Sequence, residues 1–149
     1  MVVVLIIDLE YLDTILVLRW NRTGETIAGV TGQFGNASNL LNFPWGIYVD
    51  WSNALYIGDQ LNSRVQKYLK NATFGETVAG DPTGIGGSAS NRIDHPTTVA
   101  VDMNGTIYVC DRWNYRIQLW KPGASNGTTI AGITGFNFHK ILFECLQFI

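Results

Sequence analysis

The sequence predicts an all-β protein, a partial β-propeller built from four-stranded antiparallel blades. One observation is compositional: 46% of the 149 residues are hydrophobic, only 15% are charged, and there are 16 glycines but 4 prolines. Short β-branched and aromatic runs between glycine-containing turns are typical of β-sheet proteins. The other observation is an internal repeat of 52 residues, a period close to that of one propeller blade.

The repeat aligns Pro44 to Gly80 with Pro96 to Gly132 without gaps, and thirteen of these 37 residue pairs are identical. The spacers before the two copies also match, and Glu25 to Gly29 matches Glu76 to Gly80. The predicted organisation is an off-pattern N-terminal segment at 1–14, a partial first blade and spacer at 15–43, a blade and spacer at 44–95, a blade at 96–135 and an off-pattern tail at 136–149.

The residue pattern of each full unit predicts four short strands. In the first unit these are Trp45 to Asp50, Asn53 to Gly58, Arg64 to Tyr68 and Glu76 to Ala79. The third strand alternates polar and apolar residues, as a half-buried strand does. In the second unit, the first turn contains Asn104-Gly105, and Asn-Gly is a strong hairpin signal. Four antiparallel strands in each repeat correspond to one propeller blade.

An Asp-x-x-Asn-x-Arg motif follows the second strand of each unit. The motif residues are Asp59, Asn62 and Arg64 in the first unit, and Asp111, Asn114 and Arg116 in the second. The carboxylate can accept hydrogen bonds from a turn, the Asn tolerates a left-handed backbone, and the Arg fork can reach carboxylates or carbonyls. Because a catalytic site is usually built once, recurrence in every unit favours a structural role.

These residues resemble NHL repeats. The resemblance rests on Ile47-x-Val49-Asp50 followed by Leu55-Tyr56-Ile57-Gly58-Asp59-x-x-Asn62-x-Arg64-Val65-Gln66, and on the same pattern from Val99 to Gln118. With the partial first unit, it covers about Leu16 to Gly135. The resemblance implies a propeller of typically six blades that binds protein or RNA. Some members belong to ubiquitin ligases or membrane sensors, and one related propeller is a zinc-dependent amidating lyase.

The blade count departs from this family, since two blades and part of a third cannot close a ring. Either the chain is a fragment of a longer protein or several chains complete one ring together. We favour the fragment, because both termini leave the repeat pattern. Open blade faces expose apolar surface and strand edges, so self-association through them is expected as well.

No catalytic residue, metal or cofactor is predicted. A lyase site needs several histidines to hold its metal, and the chain has only His95 and His139. His95 corresponds to Phe43 in the preceding unit, which favours a packed ring over a ligand. The two cysteines, Cys110 and Cys145, allow one disulfide and lack metal-site spacing. Two alternatives stay open: a lyase-like propeller with its metal site in missing blades, and the substrate-binding end of a ubiquitin ligase.

Binding of a protein or peptide is the predicted function. The candidate residues occupy variable loop positions: Trp45, Arg112, Trp113 and Tyr115. Tryptophan, tyrosine and arginine are enriched at interface hot spots, although such rings could instead pack between blades. The net charge of −2 lacks the basic surplus of a phosphate-backbone binder. Protein binding is therefore favoured over RNA binding.

Five Asn-x-Ser/Thr sequons make the asparagines candidate glycosylation sites: Asn21, Asn36, Asn71, Asn104 and Asn126. Chance predicts about one or two of them at this composition. The excess favours an extracellular or secreted protein, with a cytoplasmic protein as the alternative, since Asn and Thr also form turns and strands. No stretch reaches the ~20 apolar residues needed to cross a bilayer, so no membrane insertion is expected.

Overall fold

The computed structural model describes residues 24–132, together with the backbone of three N-terminal strands. These are β1 (Val2–Val4), β2 (Ile7–Leu12) and β3 (Ile15–Trp20). The predicted tail at 136–149, the last residues of the 96–135 blade, and the side chains of the first 23 residues lie outside this description. So do Asn21, His139 and Cys145.

Two four-stranded antiparallel sheets confirm the predicted fold class. The first blade consists of β5 (Pro44–Val49), β6 (Leu55–Asp59), β7 (Arg64–Tyr68) and β8 (Glu76–Gly80). The second consists of β9 (Pro96–Val101), β10 (Ile107–Asp111), β11 (Arg116–Trp120) and β12 (Thr128–Ala131). Strands that follow one another in the chain are neighbours in both sheets. Within the described part of the chain, no helix is long and apolar enough to cross a membrane.

The strand register gives each blade two distinct ends. Asp59 pairs with Arg64 and Asp111 with Arg116, next to the short 3₁₀ helices at Gln60–Asn62 and Arg112–Asn114. We call this the motif end. The opposite end carries the hairpin turns at 50–54, 69–75, 102–106 and 121–127, and we call it the turn end.

The two blades pack face to face. The back of the first blade contributes Tyr56, Val65 and Ala79 to a buried cluster with Val99 and Val109 from the front of the second. The inner strands β5 and β9 also come very close to each other. A Cβ on Gly46 would overlap the backbone carbonyl of Thr97. Apolar burial and a glycine without a side chain thus hold consecutive blades together.

The front of the first blade is covered only in part. Leu55, Ile57 and Tyr68 are buried in a cluster with Ala28 of β4 (Glu25–Ala28) and Leu41 of the spacer. The inner strand β5 has no such cover, and Ile47 and Val49 are 50% and 48% exposed.

The partial first blade takes its strand partner from the N-terminal segment. β4 corresponds to β8 and β12, which each pair with the third strand of their own blade. β4 instead pairs with β1, while β2 pairs with β3. The pairing Val2↔Ala28 takes the register of Val65↔Ala79, including the same irregularity one residue later. β1 therefore occupies the position of a third strand on β4.

Candidate functional site

The Asp-x-x-Asn-x-Arg motif of the first blade is a closed hydrogen-bond cluster. Asp59 is completely buried and accepts bonds from the backbone N–H of Asn42 (2.7 Å), from Asn62 Nδ2 (2.8 Å) and from Arg64 Nε (2.9 Å). Burial raises the pKa of Asp59, against these three donors, which favour the ionised form. The strands bring the three motif residues together.

The motif arginine fastens the spacer that leads into the blade. The Arg64 guanidinium donates to the backbone carbonyls of Asn36 (2.7 Å), Ala37 (3.0 Å) and Leu40 (3.1 Å). Asn62 Nδ2 donates to a further spacer carbonyl, that of Gly35, at 2.8 Å. The motif therefore satisfies the backbone of a loop that has no sheet partner of its own.

The second blade repeats this arrangement 52 residues later. Asp111 accepts from the backbone N–H of Asp94 (2.6 Å) and from Arg116 Nε (2.7 Å), and burial raises its pKa in the same way. Arg116 donates to the carbonyls of Ser88, Ala89 and Arg92, and Asn114 donates to that of Gly87. Since these polar groups are used within the protein, a ligand at the motif end would have to contact other side chains.

The loop after the second motif Asp presents large side chains to solvent. Arg112 is exposed, Trp113 is 56% exposed and Tyr115 is 40% exposed. Tyr115 has a left-handed backbone (φ 51°) and ends the 3₁₀ helix at Arg112–Asn114, as Ser63 does in the first blade. A bulky residue pays a steric cost in this conformation. Three of the four predicted binding residues therefore share one loop at the motif end.

Trp113 is held in place through one face of its ring. The His95 imidazole stacks on the indole with ring centroids 3.5 Å apart and planes 9° from parallel. His95 Nδ1 lies 2.6 Å from Asp94 Oδ1, and the backbone N–H of Trp113 donates to the Asp94 carbonyl at 3.1 Å. The indole is thus fixed in orientation while more than half of it remains accessible.

The first blade carries apolar side chains at the same positions. Phe43 and Leu61, which correspond to His95 and Trp113, are 56% and 47% exposed. Trp45, the fourth predicted binding residue, is 62% exposed on β5, with its ring centroid 6.2 Å from that of Phe43. We define the motif-end patch as Phe43, Trp45, Leu61, His95, Arg112, Trp113 and Tyr115.

The contribution of His95 to this patch was missed by the sequence reasoning. The alignment with Phe43 predicted a packed ring, and the imidazole does pack, but the identity of its partner was not inferred. No signal in the sequence singles out this pair, because 24 of the 37 aligned residue pairs differ between the two units.

The turn end uses a second recurring carboxylate. Asp50 accepts from the backbone N–H groups of Ser52 and Ala54, each at 2.9 Å. Asp102 accepts from those of Asn104 (2.9 Å) and Thr106 (2.8 Å), and these bonds lower its pKa.

Among residues 24–132, no group of three or more His, Cys, Asp or Glu side chains could hold a metal ion. Cys110 is buried and disulfide-bonded.

The NHL repeat model matches the chain at residues 41–68 and 94–119. Each match runs from the end of a spacer through the motif and onto the third strand of its blade. The chain contains two NHL repeats. These repeats coincide with the two blades, and the buried Asp–Asn–Arg clusters lie within the matched residues. No curated protein is similar enough to be matched with the chain.

Proposed function

We propose that this NHL repeat protein is a non-catalytic module that binds a protein or peptide through its motif-end patch. The observation that carries the proposal is the exposed Trp113, fixed by His95 beside the exposed Arg112 and Tyr115. NHL repeats commonly mediate protein interactions, and aromatic and arginine side chains dominate the energetics of many such interfaces.

The geometry supports binding for a further reason. A flexible side chain loses conformational entropy when a partner immobilises it, and this loss subtracts from affinity. The stack on His95 has already restricted the Trp113 ring in the free protein. An indole with a fixed orientation offers apolar area to a partner with little further loss of conformational entropy.

Protein remains favoured over RNA as the partner. The net charge is −2, whereas phosphate recognition draws on a surplus of Lys and Arg. In the patch, Arg112 is the one residue that carries a permanent positive charge. A single guanidinium suits a carboxylate on a peptide better than it suits a nucleic-acid backbone.

On the strength of the sequons, we also propose that the protein is extracellular or secreted.

The test compares two exposed tryptophans at opposite ends of the blades. Trp113 lies at the motif end, while Trp51 is 87% exposed in a hairpin turn at the turn end. Crosslinked partners of the wild type, Trp113→Ala and Trp51→Ala are identified by quantitative mass spectrometry after nuclease treatment. We expect a protein retained by the wild type and Trp51→Ala and lost from Trp113→Ala, with a loss of affinity of about 2 kcal/mol for the purified pair.

Arg112→Ala serves as a second variant within the same patch. It should weaken binding of that same protein, because a rim charge contributes to encounter and specificity. Equal retention by the wild type and by both patch variants would overturn the proposal. A protein that the wild type retains only when the nuclease is omitted would assign the patch to RNA instead.

A further inference from the structure

The sequons are the sequence feature that the proposed function does not use. Four of them lie within the described residues, and all four asparagines are exposed: Asn36, Asn71, Asn104 and Asn126. Exposure therefore does not distinguish between them. What distinguishes them is the hydrogen bonding of their side-chain amides.

Two of the four amides join separate segments of the fold. Asn36 Nδ2 donates to the backbone carbonyl of Thr83 at 3.2 Å, which links the spacers of the two blades. Asn126 Oδ1 accepts from Ser90 Oγ at 3.0 Å, and its Nδ2 donates to Ser125 Oγ at 3.2 Å. A sugar on Asn36 would replace one of the two amide hydrogens beside the Thr83 carbonyl. A sugar on Asn126 would crowd the Nδ2 contact with Ser125 Oγ, next to the bond that Oδ1 accepts from Ser90.

The other two amides have no such role. Within residues 24–132, the side chains of Asn71 and Asn104 make no hydrogen bond. Asn71 lies in the turn after β7 with a left-handed backbone (φ 65°), and Asn104 lies in the hairpin turn between β9 and β10. At Asn104 it is the backbone N–H, not the side chain, that bonds Asp102. Both amides can therefore carry a substituent without the loss of a hydrogen bond among these residues.

Both asparagines also lie at the same end of the molecule. The turn ends of the two blades adjoin across a groove of about 310 Å³, lined by Lys67 and Glu76 from the first blade and by Gly105 and Pro122 from the second. Strands of five residues separate this end from the motif end, a distance of roughly 17 Å. The attachment points at Asn71 and Asn104 therefore lie at the opposite end of the blades from the motif-end patch.

We propose that Asn71 and Asn104 carry N-linked oligosaccharides, which make the turn end the glycosylated face and leave the motif end bare for the partner. The inference rests on the secreted location proposed above. In the transfer, the asparagine Nδ2 forms a bond to the anomeric carbon of a lipid-linked oligosaccharide. The bond from that carbon to the lipid pyrophosphate breaks, the pyrophosphate leaves with the bonding electrons, and Nδ2 loses one proton to a base of the transferase.

The experiment is secretion of the full chain from a eukaryotic host, followed by release of the glycans with a glycosidase in heavy-oxygen water. The glycosidase converts each occupied Asn into a labelled Asp, which peptide mapping then locates. Asn71→Gly and Asn104→Ser are the matched variants. They introduce the residues that the repeat itself places at these positions, Gly123 and Ser52, so the folds of these turns are retained.

We expect label at Asn71 and Asn104 in the folded protein, none at Asn36 or Asn126, and the loss of one glycan mass from each single variant. Secreted, folded protein without label at Asn71 and Asn104, or with its label at Asn36 or Asn126 instead, would overturn the inference. The result is independent of the binding test. Trp113→Ala should keep both glycans, while the double variant Asn71→Gly/Asn104→Ser should keep the partner.

Discussion

Val49 and Val101 are the same residue at the same position of two consecutive blades, yet they differ sharply in exposure. Val101 is 7% exposed and Val49 is 48% exposed. Ile47 and Val99, two positions earlier, repeat the contrast at 50% and 3%. The second blade has the first blade packed against its front, whereas the inner part of the first blade's front is uncovered. The position in the repeat specifies an apolar, β-branched side chain at these sites. Whether that side chain is buried depends on the neighbouring blade.

The two blades also differ on the opposite face of their first strands, β5 and β9. Gly46 of the first blade faces the backbone of β9, where a side chain would overlap the Thr97 carbonyl. The corresponding residue of the second blade is Thr98, which is partly exposed. The glycine is therefore present in the blade whose first strand lies against the backbone of the next blade, and a larger residue stands at the same position in the second blade. Four predictions test which substitutions act through contacts within one blade and which act through the surface that covers the blade.

The largest effect should come from the motif arginines, and it should be alike in both blades. Arg64→Ala and Arg116→Ala each leave a buried aspartate without its ion pair and a spacer without its donors. We expect each to lower the free energy of unfolding by about 3–5 kcal/mol, measured by chemical denaturation. Arg112→Ala, an exposed control, should stay within about 0.5 kcal/mol. Unchanged stability of the motif variants would contradict the structural role and favour a ligand role.

A smaller effect is expected at the contact between the inner strands. Gly46→Ala adds a Cβ against the Thr97 backbone, and such overpacking costs about 1–3 kcal/mol. Thr98→Ala at the equivalent position should cost less than about 0.5 kcal/mol, as partly exposed positions do. Thermal unfolding of the two variants checks the difference. Equal shifts in Tm would show that the blades do not approach this closely in solution.

Val101→Ala and Val49→Ala remove the same atoms from a covered and an uncovered face. The first should lower the free energy of unfolding by about 1.5–2.5 kcal/mol and the second by less than about 1 kcal/mol, since burial sets the transfer and cavity costs. Parallel denaturant titrations measure both values. A large loss at Val49 would mean that another surface covers this face in solution, and a measurement of mass in solution would then show whether that surface is a second copy.

The smallest expected effect is on the stability of the protein at acid pH. Hydrogen bonds from the turn, that of the Thr106 N–H foremost, hold the pKa of Asp102 below 3.8, its ordinary value. A carboxylate with a lowered folded pKa contributes stability above its unfolded pKa and loses it as the pH falls through the folded value. Asp102→Ala should therefore flatten the decline of stability below about pH 4.

The same experiment in the first blade should give the same sign. At Asp50, burial raises the pKa, but the hydrogen bonds from Ser52 and Ala54 outweigh it and the net direction is downward. Asp50→Ala should flatten the acid limb in the same way, because the turn is built within one blade. If either variant follows the wild-type curve, that carboxylate is not held by its turn in solution.

Much of this fold could be read from the repeat because its determinants are local. Alternation of residue types, the Asn104-Gly105 turn and the recurring motif specify strands and their antiparallel neighbours within one blade. The clustering of Asp59, Asn62 and Arg64 follows from the same hairpin. The stack of His95 on Trp113 was not predicted, because the spacer leading into the blade and the turn between β10 and β11 meet only after the strands have paired.

The sequence alone determined the all-β class, the two four-stranded blades and the placement of the Asp-x-x-Asn-x-Arg motif in each blade. Those features depend on contacts within one repeat, which the repeat encodes in every copy. The tertiary structure decided that Val101 is buried and Val49 is not, that β1 takes the third-strand position on β4, and that Trp113 is held by His95. These depend on which surface lies against which, and burial is a property of the pair of surfaces rather than of either sequence segment.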